Sequence, residues 1–387
     1  MDIFETKNQF GSGVVKSWAS ILDYGTRLQA EAISRSPIVK THVALMPDAH
    51  VGIGACVGSA IVTTGGIIPA AVGVDIGCGV IGTNLSIRRE EISLSQERQI
   101  LAEIVRLIPA GVGVGLEQTS RDWSDFKRDW GVPIHLSNNL RMKAAEQFGT
   151  LGSGNHFAEV CKDETGLIWL LVHSGSRGIG NMLAQKHIKV AIEKTGHLSE
   201  GKDLAWLEEN TKEFDAYLAD LFWAQKYAYF QRQSMMNRLL EIVYKVVRQD
   251  LLVIEANCHH NYTEKQKDGT YLSRKGAIDA NKGVAGIIPG SMGAATHIVT
   301  GLGNVDAHNT SPHGAGRLLA RGVAKKTLDI EKFKSQMGDR TWQDRSAESL
   351  IDEAPDAYKP INVVMEDSKT LVKTVTILKQ FINFKGA

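Results

Sequence analysis

The sequence predicts a mixed α+β fold, carried by one continuous domain over residues 1–387, on three observations. Short β-rich apolar runs punctuated by Gly and Pro fill residues 41–85. A long helical stretch covers 199–248, and strands return after residue 250. These elements do not alternate as a doubly wound sheet would require. No Pro/Ser-rich linker, low-complexity segment or fixed-period repeat divides the chain.

Taken in order, the runs in 41–85 read as strands joined by tight turns, and 87–107 and 139–148 read as helices. The unbroken apolar run "LIWLLVHS" (Leu167–Ser174) has the pattern of a buried strand, and "GSRGIGN" after it opens a helix. Within 199–248, apolar residues such as Leu204, Leu207, Leu218, Leu221 and Phe222 mark the longest helical region. Its Met and aromatic residues read as helix packing rather than a cofactor box. The chain then ends in a helix–strand pair reaching Lys385.

Hydrophobic residues make up 43% and charged residues 22% of the 387, the balance of an ordinary soluble globular protein. A net charge of +1 means that a polyanion must be met by a local basic patch rather than an overall field. No apolar run reaches transmembrane length, and "MDIFETKNQF" lacks the segments of a signal peptide. Cys56, Cys78, Cys161 and Cys258 have no framework spacing, so reduced thiols and a cytoplasmic location, with no membrane partner, are expected.

The stretch "VGVDIGCG" sets Asp75 and Cys78 three residues apart among glycines, after the uncharged run "IIPAA". A buried, unpaired carboxylate is costly, and a cation would hold both groups ionised. Further donors stand in "LGSGNHFAEV" (His156), "LLVHSGSRG" (His173), "EANCHHNY" (His260) and "SPHGAGR" (His313). Each alone is more often a structural histidine. Together with Asp75 and Cys78 they make the carboxylate, thiolate and imidazole set of a transition-metal site. Zinc-finger spacing is absent, and ligands gathered from remote strand ends suit a catalytic site with open coordination positions.

Phosphate handling has its own signals. "HSGSRGIGN" offers closely spaced backbone amides, Arg177 and a helix start, which suit an anion. "PGSMG" (289–293) and "HGAGR" (313–317) are small-residue turns where backbone can approach a ligand, although such turns usually serve chain reversal. A Walker A motif is absent, the glycines of 175–180 do not fit G-x-G-x-x-G, and "QKDG" has Gln266 where a K-x-D-G ligase motif needs lysine.

In chain order, "MPDAHVGIG", "IIPAAVGVDIGCG", "LGSGNHFAEV", "HSGSRGIGN", "CHHN", "RKGA", "IPGSMG", "HGAGR", "DEAPDAYK" and the terminal "FKG" resemble the motifs of RtcB-type RNA ligases, bacterial members above all. The resemblance runs from about residue 40 to the end. It implies a family-specific α+β fold around a deep, basic active-site cleft. It also implies a ligase, dependent on GTP and Mn2+, that joins an RNA 3'-phosphate or 2',3'-cyclic phosphate to a 5'-hydroxyl in repair or splicing, with tRNA or rRNA as plausible substrates. An activating protein partner is left open.

Carried over by motif, Asp75, Cys78, His156, His173 and His260 hold two metals, with the Cys78 thiolate suited to bridge them. His260 is preferred to His259 because the family's ligand immediately precedes the asparagine, here Asn261. His313 matches the nucleophile that carries GMP. Asp48 and Arg177 are candidate catalytic-site residues, the arginine as a phosphate contact. Asn155, Glu159, Ser291, Thr296, Ala315, Tyr358 and Lys385 fall where the family binds guanylate, and Glu159 can accept from the N1–H and 2-amino edge that adenine lacks. Two departures stand out. "VDAHNTSPHGAGR" has Pro312 and no cysteine before the nucleophile, which is expected to bear on RNA-end preference. Thr296 replaces a frequent serine and keeps the hydroxyl. A metal-dependent cyclic-phosphate hydrolase and a non-ligating RNA-binding protein are the competing readings, and covalent guanylylation separates them from a ligase.

Overall fold

The computed structural model describes residues 1–247 and 254–386. Two large sheets carry the fold, with helices packed around them. In the first, strands run in the order Asp2–Asn8, Gly11–Ser17, Val39–His50, Val57–Thr63, Tyr271–Lys275, Asn261–Lys265. In the second the order is Ile254–His259, Gly79–Arg88, Leu167–Ser174, Phe157–Lys162, Val372–Lys385, Thr296–Gly301, Ala285–Pro289. Thr341–Trp342 pairs alongside Val372–Lys385. The fold is α+β, as the unalternated elements imply.

Leu167–Ser174 is paired on both sides, by Gly79–Arg88 and Phe157–Lys162. A central strand covered on both faces has no use for a polar alternation, which explains its unbroken apolar run. One cover is the 36-residue helix Lys212–Val247. Its Met235, Leu239, Ile242 and Val243 join Ile81, Leu85, Val160 and Leu170 in one core. Its first half instead packs Tyr217, Leu221, Trp223 and Tyr227 against Trp123, Phe126 and Phe148. The Met and aromatic residues are therefore packing groups.

Element boundaries differ from the sequence reading for identifiable reasons. The long helix begins at Lys212 rather than 199, because Leu204 closes a 3-10 turn and Leu207 lies in a two-residue strand. Asn210 takes a left-handed φ of 66°, and Thr211 Oγ1 accepts from the Phe214 amide at 3.3 Å, which starts the helix there. Residue 248 lies outside the described residues. The helix expected over 87–107 begins at Leu94, after the strand runs to Arg88, because Ser93 and Gln96 form a capping box. Helix Arg121–Trp130 was not anticipated, although Ser120 caps it and Trp123 and Phe126 mark its buried face. The other expected helix is present as Asn138–Gln147, and the closing helix–strand pair as Ile361–Asp367 and Val372–Lys385. Among the described residues no helix is long and apolar enough to cross a membrane.

The second sheet brings remote sequence motifs to one edge. Gly79 is opposite both His259 and Ser174, and Phe157 is opposite His173. Antiparallel pairing thus places the start of two strands beside the end of two others, so Cys78, His156, His173 and His260 meet at a common edge. Behind that edge the fully buried Arg232 ties the elements together. Its guanidinium donates to Gly77 O at 2.7 Å, Ser174 O at 2.9 Å and Asn257 Oδ1 at 3.0 Å. Replacing Arg232 by Leu leaves these acceptors buried without a donor, and Arg232→Leu is expected to lose roughly 2–5 kcal/mol of stability in denaturant unfolding. An unchanged midpoint would show that the staple contributes nothing.

Candidate active site

Two groups of potential metal donors share one atom. Cys78, His173 and His260 form the first, Asp75, Cys78 and His156 the second, and donor atoms within each lie within 4.8 Å of one another. Cys78 Sγ stands 3.4 Å from His156 Nε2 and 3.3 Å from His173 Nε2. His173 Nε2 is 3.4 Å from His260 Nε2, and His156 Nε2 is 3.0 Å from Asp75 Oδ2. Donors on one first-row ion, at bonds of about 2.0–2.3 Å, stand roughly 3–4 Å apart, so the separations fit.

The ring orientations are set from outside the cluster. His156 Nδ1 is 2.9 Å from Leu151 O, and His173 Nδ1 is 3.1 Å from Asn155 O. A carbonyl accepts only from N–H, so each ring carries its proton on Nδ1 and turns the Nε2 lone pair inward. Burial, reinforced by neighbouring histidines, holds His173 and His260 well below the usual imidazole range, which keeps them neutral as ligands must be. Burial, together with the Asp75 charge, pushes the Cys78 thiol well up. Burial also opposes charge on Asp75, yet its close contact with His156, hydrogen bonding with Cys78 and the Arg177 charge keep its carboxyl below the usual value. A cation among these donors would ionise the thiol. Gly175 has no substitute here, since a Cβ would overlap the Asp75 carboxylate. His259, by contrast, faces away: its Nδ1 lies 2.8 Å from Gly77 O and 3.2 Å from the Arg232 guanidinium.

His313 stands over the cluster, its ring centroid 4.7 Å from that of His260. The segment before it forms the turn Val305–Ala307, left-handed residues at His308 and Asn309, and the short strand Thr310–Pro312. Pairing of that strand with Ala277–Asp279 delivers His313 to the site. The fully buried Asp48 holds it: Oδ2 accepts from the amides of His313 at 3.1 Å and Gly314 at 3.2 Å. The same oxygen is 2.6 Å from His313 Nδ1, within ion-pair range but out of line for a ring N–H bond.

A cavity of about 310 Å³ opens between these groups. Asp75, Cys78, His173 and His260 line one part, and Asn155, His313, Ala315, Tyr358 and Lys385 another. Lys275, Arg317 and Arg321 add positive charge to its wall. Arg177 lies elsewhere, in a neighbouring cavity of about 490 Å³ that shares Asp75 and Asn155 and includes His156 and Lys143. Glu159, Ser291 and Thr296 are buried and do not line the cavity under His313.

Three positions that sequence reasoning passed over organise the site. Asn261 donates to Asp75 O at 3.2 Å and accepts from Gly276 N at 2.8 Å, fixing the turn that carries Asp75 and Cys78. Glu353 accepts from Tyr358 Oη and Lys385 Nζ, each at 2.6 Å, and lies 3.3 Å from Arg317. Burial opposes its charge, but Lys385 and Arg321 hold it down at about 2. Arg232 is the third. Asn261 and Glu353 sit inside quoted motifs, whereas nothing in the pattern around Arg232 sets it apart from a solvated helix residue.

The model of the family described as tRNA-splicing ligase RtcB matches residues 29–386. The chain is 37% identical to the RNA-splicing ligase RtcB of Escherichia coli K12, over 96% of this chain and 97% of that protein. It is 27% identical to the tRNA-splicing ligase RtcB of Aeropyrum pernix, with 88% and 87% covered, and 29% identical to that of Pyrobaculum aerophilum, with 83% and 82% covered. A match of this extent places the protein in the RtcB family of RNA-splicing ligases.

Proposed function

We propose that this chain seals RNA, joining a 3'-phosphate or 2',3'-cyclic phosphate end to a 5'-hydroxyl end with GTP and Mn2+, through a guanylate carried on His313. The observation that supports it most is the placement of an Asp48-held histidine directly over two donor groups that share Cys78. The ligand set proposed is Asp75, Cys78, His156, His173 and His260, its donors suiting two ions with the thiolate between them. Bound there, the ions would neutralise phosphate charge and lower its repulsion of an incoming nucleophile.

The protein's own residues supply the rest. The negative charge of Asp48 beside Nδ1 would favour the proton on that nitrogen and leave the His313 lone pair on Nε2, which attacks the α-phosphorus of GTP as pyrophosphate departs. A 3'-phosphate oxygen then takes the guanylate from His313, and the ring returns to its starting form. The 5'-hydroxyl finally attacks the activated phosphorus and GMP leaves. A cyclic phosphate must first be opened by water to give the 3'-phosphate. Asn155, Ala315, Tyr358 and Lys385 are proposed to hold the nucleotide in the cavity under His313, with Ser291 and Thr296 behind them. Glu159 would accept from the N1–H and 2-amino edge of guanine. Arg177 and its cavity are the proposed contact for RNA phosphate. The relatives named for tRNA splicing make tRNA halves the first substrates to offer.

Two variants separate metal from nucleophile. Cys78→Ala is expected to bind fewer than two Mn2+ per chain by metal analysis and to form no adduct with radiolabelled GTP, because no other thiol stands at the shared position. Loading with two ions would contradict the bridging role. His313→Ala is expected to retain metal and form no adduct, and an acid-labile adduct persisting in it would move the nucleophile elsewhere.

A further inference from the structure

Glu159 and Asn383 face each other across the antiparallel pair Phe157–Lys162 and Val372–Lys385. Two pairs along, Phe157 and Lys385 line the cavity under His313. Residues two apart on a strand share a face, so Glu159 and Asn383 stand two pairs behind that wall on the cavity's own side. Asn383 Nδ2 donates to Glu159 Oε1 at 2.6 Å and to Gln380 Oε1 at 2.7 Å. Gln380 Nε2 in turn donates to the carbonyls of Ser291 at 3.2 Å and Ala294 at 3.0 Å. A register shift between Gln380 and Ile382 makes this possible: Gln380 comes opposite Cys161 while Asn383 comes opposite Glu159. Two polar residues three apart thereby reach one face. Around them lie Phe157, Cys161, Ile298 and Leu378, an apolar cluster that gains nothing from a carboxyl or an amide. Asn383 is 1% exposed and held by its amino group alone, its oxygen having no partner.

We propose that Asn383 positions Glu159 as the acceptor that reads the purine edge, and so determines the preference for guanine over adenine. This rests on the role proposed above for Glu159. A donor fixed on Oε1 sets the rotation of the carboxylate and favours its ionised form. Burial pushes the Glu159 carboxyl up to about 7, against Lys385 and Asn383 on the facing strand, Arg340 beyond helix Ile330–Met337, and Cys161 on its own strand. Ionised, it accepts from guanine N1–H. Protonated, it presents O–H to that N1–H and can instead donate to adenine N1. Because the folded-state value is raised, the reading form is present above it and is lost as pH falls through it.

The test is calorimetric binding of the α,β-methylene analogues of GTP and ATP, which cannot lose pyrophosphate, between pH 6 and 9. With the wild-type protein the GTP-over-ATP affinity ratio should rise as pH passes about 7. Asn383→Leu should move that rise to higher pH and lower the ratio at pH 7 about tenfold, the equivalent of one pK unit. Asn383→Ser, whose hydroxyl can still donate, should fall between the two. A wild-type ratio and transition in Asn383→Leu overturns the proposal; should that variant not fold, the same result in Asn383→Ser does. Glu159→Gln separates the two levels. If it keeps the wild-type ratio, the Glu159 reading itself fails, whereas loss of the ratio there with retention in Asn383→Leu removes only Asn383.

Discussion

One sulfur atom, Cys78 Sγ, belongs to both donor groups of the site, and most of the surrounding structure can be understood as holding it there. A buried thiol, a carboxylate and three imidazoles within a few ångströms of one another would repel or neutralise if left to themselves. The fold prearranges them instead. Carbonyls of Leu151 and Asn155 fix the tautomers of His156 and His173, Ser176 N holds Asp75 Oδ1 at 3.1 Å, and Arg232 holds the backbone behind them. Such outer contacts orient ligands and make the site ready for a cation without rearrangement.

The proposed nucleophile, His313, must reach the same point from a different part of the chain. The donors come from strand ends of one large sheet, whereas Asp48 comes from Val39–His50 in the other. His313 follows a short strand outside both. The cavity lies where the three meet. The end proposed for the nucleotide is governed by one buried anion, Glu353, which gathers Tyr358, Lys385 and Arg317 into a fixed set. If the cleft binds phosphates as proposed, such a fixed counter-ion keeps its cations in place.

Much of this was legible in the sequence, and the reasons are uneven. Asp75 and Cys78 were conspicuous because neither suits an apolar glycine loop, and the five proposed ligands do converge in the structure. The choice of His260 over His259 came from the resemblance, and the opposite orientations of the two rings agree with it. What periodicity missed is what depends on caps and long-range partners. The start of the long helix hangs on Asn210 and Thr211, and the helix Arg121–Trp130 is dominated by charge outside its aromatic face. Arg232 and Asn383 were invisible for a deeper reason: their roles exist only through residues far away in the chain, and an arginine on a helix or an asparagine on a strand carries no local mark of burial.

The central claim is that the chain holds two ions on one shared thiolate. Anomalous scattering at the manganese edge, from crystals of the protein loaded with Mn2+, tests it most directly. Two peaks per chain are predicted, one among Cys78, His173 and His260 and the other among Asp75, Cys78 and His156, each within bonding distance of the Cys78 sulfur. A single peak, or two that do not both reach that sulfur, would contradict the account.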